Sequence, residues 1–135
     1  MTGVQTCALP ISERALVMSL ERIRLADGEP MALMHNYLPA GLVQLNVDML
    51  EQHGLYELLR ASGIGLYSAT QRMCAKNASA TEARMLNETR GSALLTMERI
   101  AFDQAGRPVE FARHLYRASR YAFTTTFPRH EPLAG

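Results

Sequence analysis

A stretch between Leu94 and Tyr121 constrains the fold of this chain most strongly. Two segments rich in Val, Ile, Phe and Tyr flank a short turn that carries Gly106 and is followed by Pro108. Such segments around a glycine-containing loop of four residues are typical of a β-hairpin. A proline is tolerated at the mouth of a strand, where its missing N–H costs little. The stretch therefore predicts two paired antiparallel strands.

The second of these strands has two different faces, because successive side chains of a strand point in opposite directions. Three apolar side chains share one face, which predicts a place in the core: Val109, Phe111 and Leu115. The other face carries a carboxylate, an imidazole and a phenol among its members: Glu110, Ala112, His114 and Tyr116. That face suits either solvent or a polar ligand, and the residues alone leave both possibilities open.

The totals are typical of one soluble globular domain. The chain has 135 residues, of which 47% are hydrophobic and 20% charged, and its net charge is +1. The length supports one core, and the small charge argues against a stand-alone nucleic-acid binder. No apolar run approaches the roughly 20 residues that cross a bilayer. Cys7 and Cys74 have no metal-binding or redox spacing, so a reduced cytoplasm is the predicted compartment.

A second hairpin is predicted near the start of the chain, with its turn at residues 27–28. Its register decides which face two arginines occupy, because a shift by one residue inverts every side chain. A two-residue loop places Arg22 and Arg24 on the face of Leu33. A three-residue loop places both arginines on the face of Met34. The residues alone do not choose between the two registers.

Shorter signals predict the remaining elements. Further strands are expected over residues 15–26, 31–38, 64–75 and 121–127. A helix with a buried stripe of Leu55, Leu58 and Leu59 ends at Gly63. A capping box at residues 79–82 begins a second helix, and residues 40–52 hold a helical turn or two. The order predicts an α+β fold, a mainly antiparallel sheet with short helices on one side.

The first twelve residues, MTGVQTCALPIS, do not continue the pattern that follows them. They lack the basic start of a signal peptide and resemble a translated sequencing adapter. We therefore predict that residues 1–12 are a non-native leader, that residues 13–130 form the domain and that residues 131–135 are a tail. The natural chain is then expected to extend further upstream.

Three segments resemble one known domain family and occur in its order: LERIRLADGEPMALMHNYLPAGL, HGLYELLRASGI and MERIAFDQAGRPVEFARHLYRASRY. The similarity covers residues 13–129 and is to the UTRA domain, the effector-binding half of GntR-type transcriptional repressors of the HutC subfamily. It implies a chorismate-lyase-like fold, a homodimer and a small, anionic effector. It also implies that operator DNA is bound only through an upstream winged helix-turn-helix, and we predict no cofactor, metal or membrane partner.

Arg22 and Arg24 are the first candidate ligand-binding residues. They are two positions apart on a strand, so both guanidinium groups leave one face and can clamp a carboxylate or phosphate. A solvated, ion-paired strand face explains the same spacing equally well. The resemblance favours the register that turns both arginines toward the ligand, since the matching pair reaches an anionic effector in the family.

Another candidate group begins the first predicted helix. Gly54, Leu55 and Tyr56 stand at its start, where free backbone N–H groups attract anions. The family often has serine at the position of Gly54, and glutamate, a partner for sugar hydroxyls, at the position of Met34. These two departures imply a more apolar effector and weaken the case for phosphate recognition.

Glu110 and Tyr116 match family positions that line the pocket, although a half-buried strand aromatic is the ordinary explanation of Tyr116. Ser119 stands where the family has an acid, so the ion pair of that acid is missing here. Arg117 and Arg120 are interpreted as structural. No metal-ligand spacing connects the four histidines: His35, His53, His114 and His130.

Three functions follow from these observations and remain to be separated. The leading hypothesis is a ligand-sensing, dimerising domain of a transcriptional regulator. The fold implied by the resemblance also hosts chorismate lyase, so an enzyme is the second hypothesis, although the sequence shows no nucleophile–base pair or metal set for it. The third is a dimerisation module without a ligand.

Overall fold

The computed structural model describes the backbone of residues 2–8 and the whole of residues 16–128. The strands are β1 Thr2–Ala8, β2 Leu16–Ala26, β3 Glu29–Pro39, β4 Ser68–Asn77, β5 Ala93–Phe102 and β6 Pro108–Arg117. The helices are α1 Val47–Gln52, α2 Leu55–Ala61 and α3 Ala80–Leu86. The strands form one antiparallel sheet in the order β1-β2-β3-β6-β5-β4. This confirms the predicted α+β fold. None of the helices described is long and apolar enough to span a bilayer.

Strand β1 lies within the segment predicted to be a leader. It pairs with β2 from Thr2 opposite Arg22 to Ala8 opposite Leu16. The side chains of β1, including that of Cys7, lie outside the described part of the chain, as do residues 9–15 and 129–135. The boundaries predicted for the leader, the domain and the tail therefore stay predictions.

The register of the β2–β3 hairpin has features of both predicted alternatives. Its loop has two residues, Asp27 and Gly28, both with positive φ (52° and 79°), as in a type I′ turn. The pairing then shifts, because Leu25 lies opposite Pro30 whereas Arg24 lies opposite Ala32. The extra residue in β3 forms a β-bulge. The bulge turns Arg24 onto the face that a three-residue loop would have given it.

The β5–β6 hairpin forms as predicted. The carboxylate of Asp103 accepts hydrogen bonds from the backbone N–H groups of Ala105 (3.0 Å) and Arg107 (2.9 Å). The prediction for the faces of β6 needs correction, because Phe111 and Leu115 are only partly buried. All four residues of the polar face are buried instead: Glu110, Ala112, His114 and Tyr116. Helix α2 shields the Glu110 end of that face, through a contact described below.

The helices lie on both faces of the sheet. The predicted stripe of α2, Leu55, Leu58 and Leu59, packs with Leu50 of α1 against three residues of β2 and β3: Met18, Leu20 and Leu38. Helix α3 begins at the predicted capping box and packs through Leu86 against Leu94. Strand pairing places Leu94 on the opposite face from Leu38. The sequence predicts helices on one side, which holds for α1 and α2 and not for α3.

The strand predicted over residues 121–127 is wrong, since residues 121–128 form no strand. Strand β6 already lies between β3 and β5, so it offers no free edge to a following strand. Tyr121 instead stacks on Tyr116, with ring centroids 4.1 Å apart. The strand predicted to begin at residue 64 begins at Ser68.

Candidate functional site

A cavity of about 730 Å³ opens between one face of the sheet and the helices α1 and α2. Strands β2, β3, β6 and β5 supply its floor, and their residues lie in rows across the sheet. One row runs from Arg22 to Met34 and on to His114. All three residues line the cavity.

A small residue lies between two longer ones in the next row of the sheet. The neighbouring row runs from Asn36 through Ala112 to Arg99, and Ala112 is fully buried. Alanine projects only a methyl group, and the longer side chains of Asn36 and Arg99 on either side of it both reach the carboxylate of Glu110. The cavity floor is therefore polar, although it belongs to the interior of the domain.

Glu110 is the buried centre of this polar floor. Its carboxylate accepts a hydrogen bond from the phenol of Tyr56 (2.9 Å) and another from the amide of Asn36 (3.2 Å). Nε of Arg99 lies 3.5 Å from its Oε1, and the Arg99 guanidinium stands over the Tyr56 ring, 4.9 Å from the centroid. A carboxylate with a fully buried side chain needs such partners, because an unpaired buried charge is strongly unfavourable.

Tyr56 joins helix α2 to this network as a hydrogen-bond donor. Its burial, and next the neighbouring Glu110 carboxylate, raises the pKa of Tyr56. The phenol therefore stays protonated at neutral pH and donates a hydrogen bond to Glu110. The hydrogen bond holds the start of α2 over the sheet, which fixes one wall of the cavity.

Asn36 connects Arg22 with Glu110. Nη2 of Arg22 donates to Oδ1 of Asn36 over 2.7 Å, and Nδ2 of Asn36 donates to Glu110. Since one amide group accepts from a cation and donates to an anion, its orientation is determined. Burial lowers the pKa of Arg22, whereas Glu110 opposes that shift, and a guanidinium stays charged in proteins.

His114 is buried beside Tyr116. Its Nδ1 lies 2.9 Å from the hydroxyl of Tyr116, and the residue is among those that line the cavity. Burial, followed by the charges of Arg99 and Arg22, lowers the pKa of His114 to about 4. The imidazole is therefore neutral at physiological pH and carries one N–H.

Three buried nitrogen atoms of the floor have no hydrogen-bond partner among the described residues: Nε of Arg22, Nε of Arg99 and Nε2 of His114. The contact of Arg99 with Glu110 is thus an ion pair without the geometry of a hydrogen bond at Nε. Buried polar groups nearly always have a partner. The three side chains line the cavity, whereas each of these atoms itself exposes less than 1 Å².

Seven of the eight predicted site residues line this one cavity: Arg22, Arg24, Met34, Gly54, Leu55, Tyr56 and Glu110. Tyr116 does not line it. Its ring is buried between His114 and the stacked Tyr121, so it contacts the cavity only through His114. Arg24 is exposed on the same face as Glu110.

The start of α2 contributes fewer residues to the polar floor of the cavity than its sequence suggests. Gly54 is the N-cap of α2 without a side-chain hydrogen bond, and a Cβ at this position would meet nothing within 4 Å. Leu55 packs mainly into the core. Tyr56 is the residue of this group that reaches the polar floor.

Sequence reasoning missed three residues of the polar floor: Asn36, Arg99 and His114. Asn36 lies two positions from Met34 on the same strand, and a period-two reading of β3 would have found it. Arg99 lies opposite Ala112 in the β5–β6 hairpin, so the hairpin register would have placed it. The sequence placed His114 on the correct face of β6 but did not predict that it is buried.

The residues interpreted as structural have structural contacts. Arg117 donates to the carboxylate of Glu88 (2.8 Å) and to the carbonyl of Pro30 (2.8 Å). The hydroxyl of Ser119 also donates to Glu88 (2.7 Å), and Arg120 pairs with Glu29 (2.8 Å). These contacts tie the end of β6 to the β2–β3 hairpin and to the end of α3.

The remaining histidines lie elsewhere. His53, at the mouth of the cavity, is 3.1 Å from Glu57, and His130 lies outside the described residues. On the opposite face, Nε2 of His35 is 2.5 Å from Oγ of Ser19, a nucleophile–base pair that the sequence did not reveal. Ser19 is buried, whereas His35 is partly exposed and lines a second cavity on that face.

Comparison with known proteins identifies the domain. The family model of the UTRA domain matches residues 4–122. The chain belongs to the UTRA domain family. A transcriptional regulator from Streptomyces coelicolor has a solved structure that is 46% identical, with a TM-score of 0.85 over 95% of this chain and 91% of that one.

Two further similarities extend this assignment. A GntR-family transcriptional regulator from Enterococcus faecalis V583 is 26% identical, with a TM-score of 0.82 over 94% of this chain and 99% of that one. The HTH-type transcriptional regulator Rv0792c of Mycobacterium tuberculosis is 32% identical over 84% of this chain and 44% of its own length. The UTRA chain spans about half the length of the curated relatives that it matches.

Proposed function

We propose that this UTRA domain senses a small anionic metabolite, which binds in the cavity between the sheet and α1–α2. The observation that carries the proposal is a pair of guanidinium groups, those of Arg22 and Arg99, which line the cavity together with the single buried carboxylate of Glu110. Arg24 and Arg60 add positive charge nearer the mouth. Guanidinium groups bind carboxylates and phosphates through paired, charge-assisted hydrogen bonds.

In the complete protein, the domain would regulate transcription through an upstream winged helix-turn-helix that binds operator DNA. We assign it to the HutC subfamily of GntR-type repressors, on the strength of the sequence segments that resemble that subfamily. Such a protein would act in the bacterial cytoplasm, where its operator lies. The domain itself, with a net charge of +1, is expected to contribute little to DNA affinity.

We further propose that the domain forms a homodimer through its sheet. Strand β4 lies at an edge of the sheet, and nine of its ten residues are exposed. An unpaired edge of this length is a template for pairing with another chain. Effector binding would alter operator affinity if the two arrangements of the dimer differ in their affinity for the effector.

The two other functions are less well supported. A chorismate-lyase-like enzyme would need acid–base groups that are free to act on a substrate, whereas Tyr56 and Glu110 of the cavity are hydrogen-bonded to each other. The serine–histidine pair lies on the other face of the sheet. A dimerisation module without a ligand would have no use for a cavity lined by four arginines. Turnover of chorismate would favour the first, and a cavity that no metabolite occupies would favour the second.

A thermal-shift screen tests the sensor function. The 135-residue chain would be heated with organic acids, amino-acid catabolites and sugar phosphates, beside an Arg22→Met variant that keeps most of the side-chain volume. We expect at least one anionic metabolite to raise the melting temperature of the wild type and not that of the variant. If only neutral or cationic compounds stabilise the wild type, the domain does not sense an anion.

Operator binding and assembly are tested separately. Residues 13–135 should retard an operator probe no better than a random DNA of equal length. Sequence-dependent retardation would contradict the proposal that operator DNA is bound only through an upstream domain. Light scattering should give the mass of a dimer. A monomer at high concentration would contradict dimerisation by this domain alone.

A further inference from the structure

We infer that Asn36 is a positioning residue of the cavity: it keeps the guanidinium of Arg22 apart from the carboxylate of Glu110, so that Arg22 presents its charge to an anionic ligand. The inference rests on the proposed anion-sensing function and goes beyond it. It names which cation of the polar floor binds the ligand, and it names the residue that holds this cation in place.

The first argument is the place of Asn36 between two opposite charges. Nη2 of Arg22 donates to Oδ1 of Asn36 over 2.7 Å, and Nδ2 of Asn36 donates to Oε2 of Glu110 over 3.2 Å. Asn36 is 1% exposed, so water has little access to these contacts. Among the described residues, Arg22 has no other hydrogen bond and no ion pair. The direction of its guanidinium therefore depends on Asn36.

The second argument is that Glu110 has enough partners without Arg22. Its carboxylate accepts hydrogen bonds from Tyr56 and Asn36, and it pairs with Nε of Arg99 at 3.5 Å. The Arg99 guanidinium is also held over the Tyr56 ring, 4.9 Å from its centroid. Arg99 thus compensates the charge of Glu110, and the positive charge of Arg22 remains for a ligand.

The third argument is an accessible end of the Arg22 guanidinium. Arg22 lines the cavity, and its Nη2 is engaged by Asn36. Nη1 has no hydrogen-bond partner among the described residues, yet unlike the buried Nε it is not sealed from solvent. The guanidinium is therefore held at one end and open at the other. A guanidinium in this arrangement can bind a carboxylate or phosphate oxygen.

The fourth argument is the chemistry of the amide itself. An asparagine side chain is neutral and offers both an acceptor and two donors, so it satisfies Arg22 and Glu110 at once without changing the charge of the floor. A carboxylate at this position would neutralise Arg22 and repel Glu110. A gap would let the guanidinium move to the carboxylate, because opposite charges attract strongly away from water. Either change would remove the positive charge that an anion needs.

The first test is the affinity for benzoate, with benzamide as its neutral counterpart, measured by calorimetry on the 135-residue chain. We expect the wild type to bind benzoate more tightly than benzamide. Asn36→Ala should weaken benzoate about tenfold or more, because a charge-assisted hydrogen bond is lost, and should change benzamide little. Asn36→Gln keeps the amide and should restore most of the affinity. Equal losses in Asn36→Ala and Asn36→Gln would contradict the role of the amide.

A double-mutant cycle separates positioning from a general structural role. In an Arg22→Met background, Asn36→Ala should have no further effect on benzoate, since Asn36 acts through Arg22. Additive losses would overturn the inference. Ser19→Ala is the matched control, because it removes a buried hydrogen bond on the opposite face of the sheet. It should bind benzoate as the wild type does, and an equal loss in this control would also overturn the inference.

The second test needs no ligand. Crystal structures of the wild type and of Asn36→Ala should show the Arg22 guanidinium bonded to Asn36 in the first and within hydrogen-bond distance of Glu110 in the second. Should Asn36→Ala fail to fold, Asn36→Ser takes its place. Its shorter side chain leaves a similar gap beside Arg22, and its hydroxyl still offers a donor to Glu110.

The inference is wrong if Arg22 does not approach Glu110 in the variant, or if the variant binds benzoate as tightly as the wild type. Either result would leave the proposed function intact, because an anion could still bind in the cavity. If the wild type does not bind benzoate, the two crystal structures decide the inference. The metabolite screen with Arg22→Met then decides the proposed function independently.

Discussion

The phenol of Tyr56 donates a hydrogen bond of 2.9 Å to the carboxylate of Glu110, which joins α2 to β6 across 54 positions of sequence. The Glu110 side chain is fully buried, so this hydrogen bond satisfies an acceptor that water does not reach. It also fixes the distance between the helical wall of the cavity and its floor. The pair therefore links the stability of the domain to the shape of the cavity.

Tyr56→Phe should destabilise the domain by about 1–3 kcal/mol, because it leaves one oxygen of a buried carboxylate with a weaker set of partners. Asn36 still donates to the other oxygen, which favours the lower part of this range. The measurement is the free energy of unfolding in urea. Tyr67→Phe is the matched control, since Tyr67 is 73% exposed, and equal stabilities of the two variants would contradict the prediction.

Arg24→Ala should weaken binding of an anionic effector about tenfold or more, because a hydrogen bond to a charged group contributes roughly 1.5–3 kcal/mol. The melting temperature should be almost unchanged, since Arg24 is exposed at the cavity wall. The measurements are effector affinity and thermal unfolding. Arg107→Ala is the control, because Arg107 lies in the exposed turn with Asp103 as its ion-pair partner. Normal effector binding by Arg24→Ala would remove this residue from the site.

Arg117→Met should destabilise the domain by about 3 kcal/mol or more, because removing one partner of a buried ion pair leaves the other uncompensated. The Arg117 side chain is 7% exposed, and that of Glu88 is 17% exposed. Arg120→Met is the control. Arg120 is 46% exposed in its pair with Glu29, and an exposed pair contributes about 0–1 kcal/mol. Urea denaturation should separate the two variants clearly, and similar losses would contradict this account.

The elements with local signals could be predicted from the sequence. The stripe of α2 and the capping box of α3 depend on residues three and four positions apart, so a short segment of sequence is enough to predict each of them. The face of Arg24 could not be derived in this way. It depends on a shift of register between Arg24 and Leu25. This bulge turns Arg24 to the face opposite the one that a two-residue loop alone would give, and no residue type in the sequence marks it.

The polar floor shows the same limit. Glu110 and His114 were placed on one face by alternation, yet that face was compatible with solvent. Tyr56, 54 positions away in the sequence, covers the Glu110 end of that face, and Tyr121 stacks on Tyr116 at the other end. Arg99 belongs to the floor only because the β5–β6 register places it opposite Ala112. Long-range pairing, which no local period encodes, assembled the site.

The buried imidazole of His114 should make stability depend on pH in a defined window. Burial, then Arg99 and Arg22, lowers the pKa of His114 in the folded protein to about 4, whereas an unperturbed histidine titrates near 6.5. The unfolded chain therefore takes up this proton at a higher pH than the folded one. Stability from this residue is complete above pH 6.5 and is lost progressively as the pH falls toward 4.

The size of this effect follows from the difference between the two pKa values. Each unit corresponds to about 1.4 kcal/mol, so the loss between pH 7 and 4 should be about 3 kcal/mol. The measurement is the free energy of unfolding of the wild type and of His114→Phe at several pH values. Because the variant has no proton to bind at this position, the stability of the wild type relative to it should decline by that amount as the pH falls. A difference that stays constant from pH 7 to 4 would show that His114 titrates normally in the folded domain.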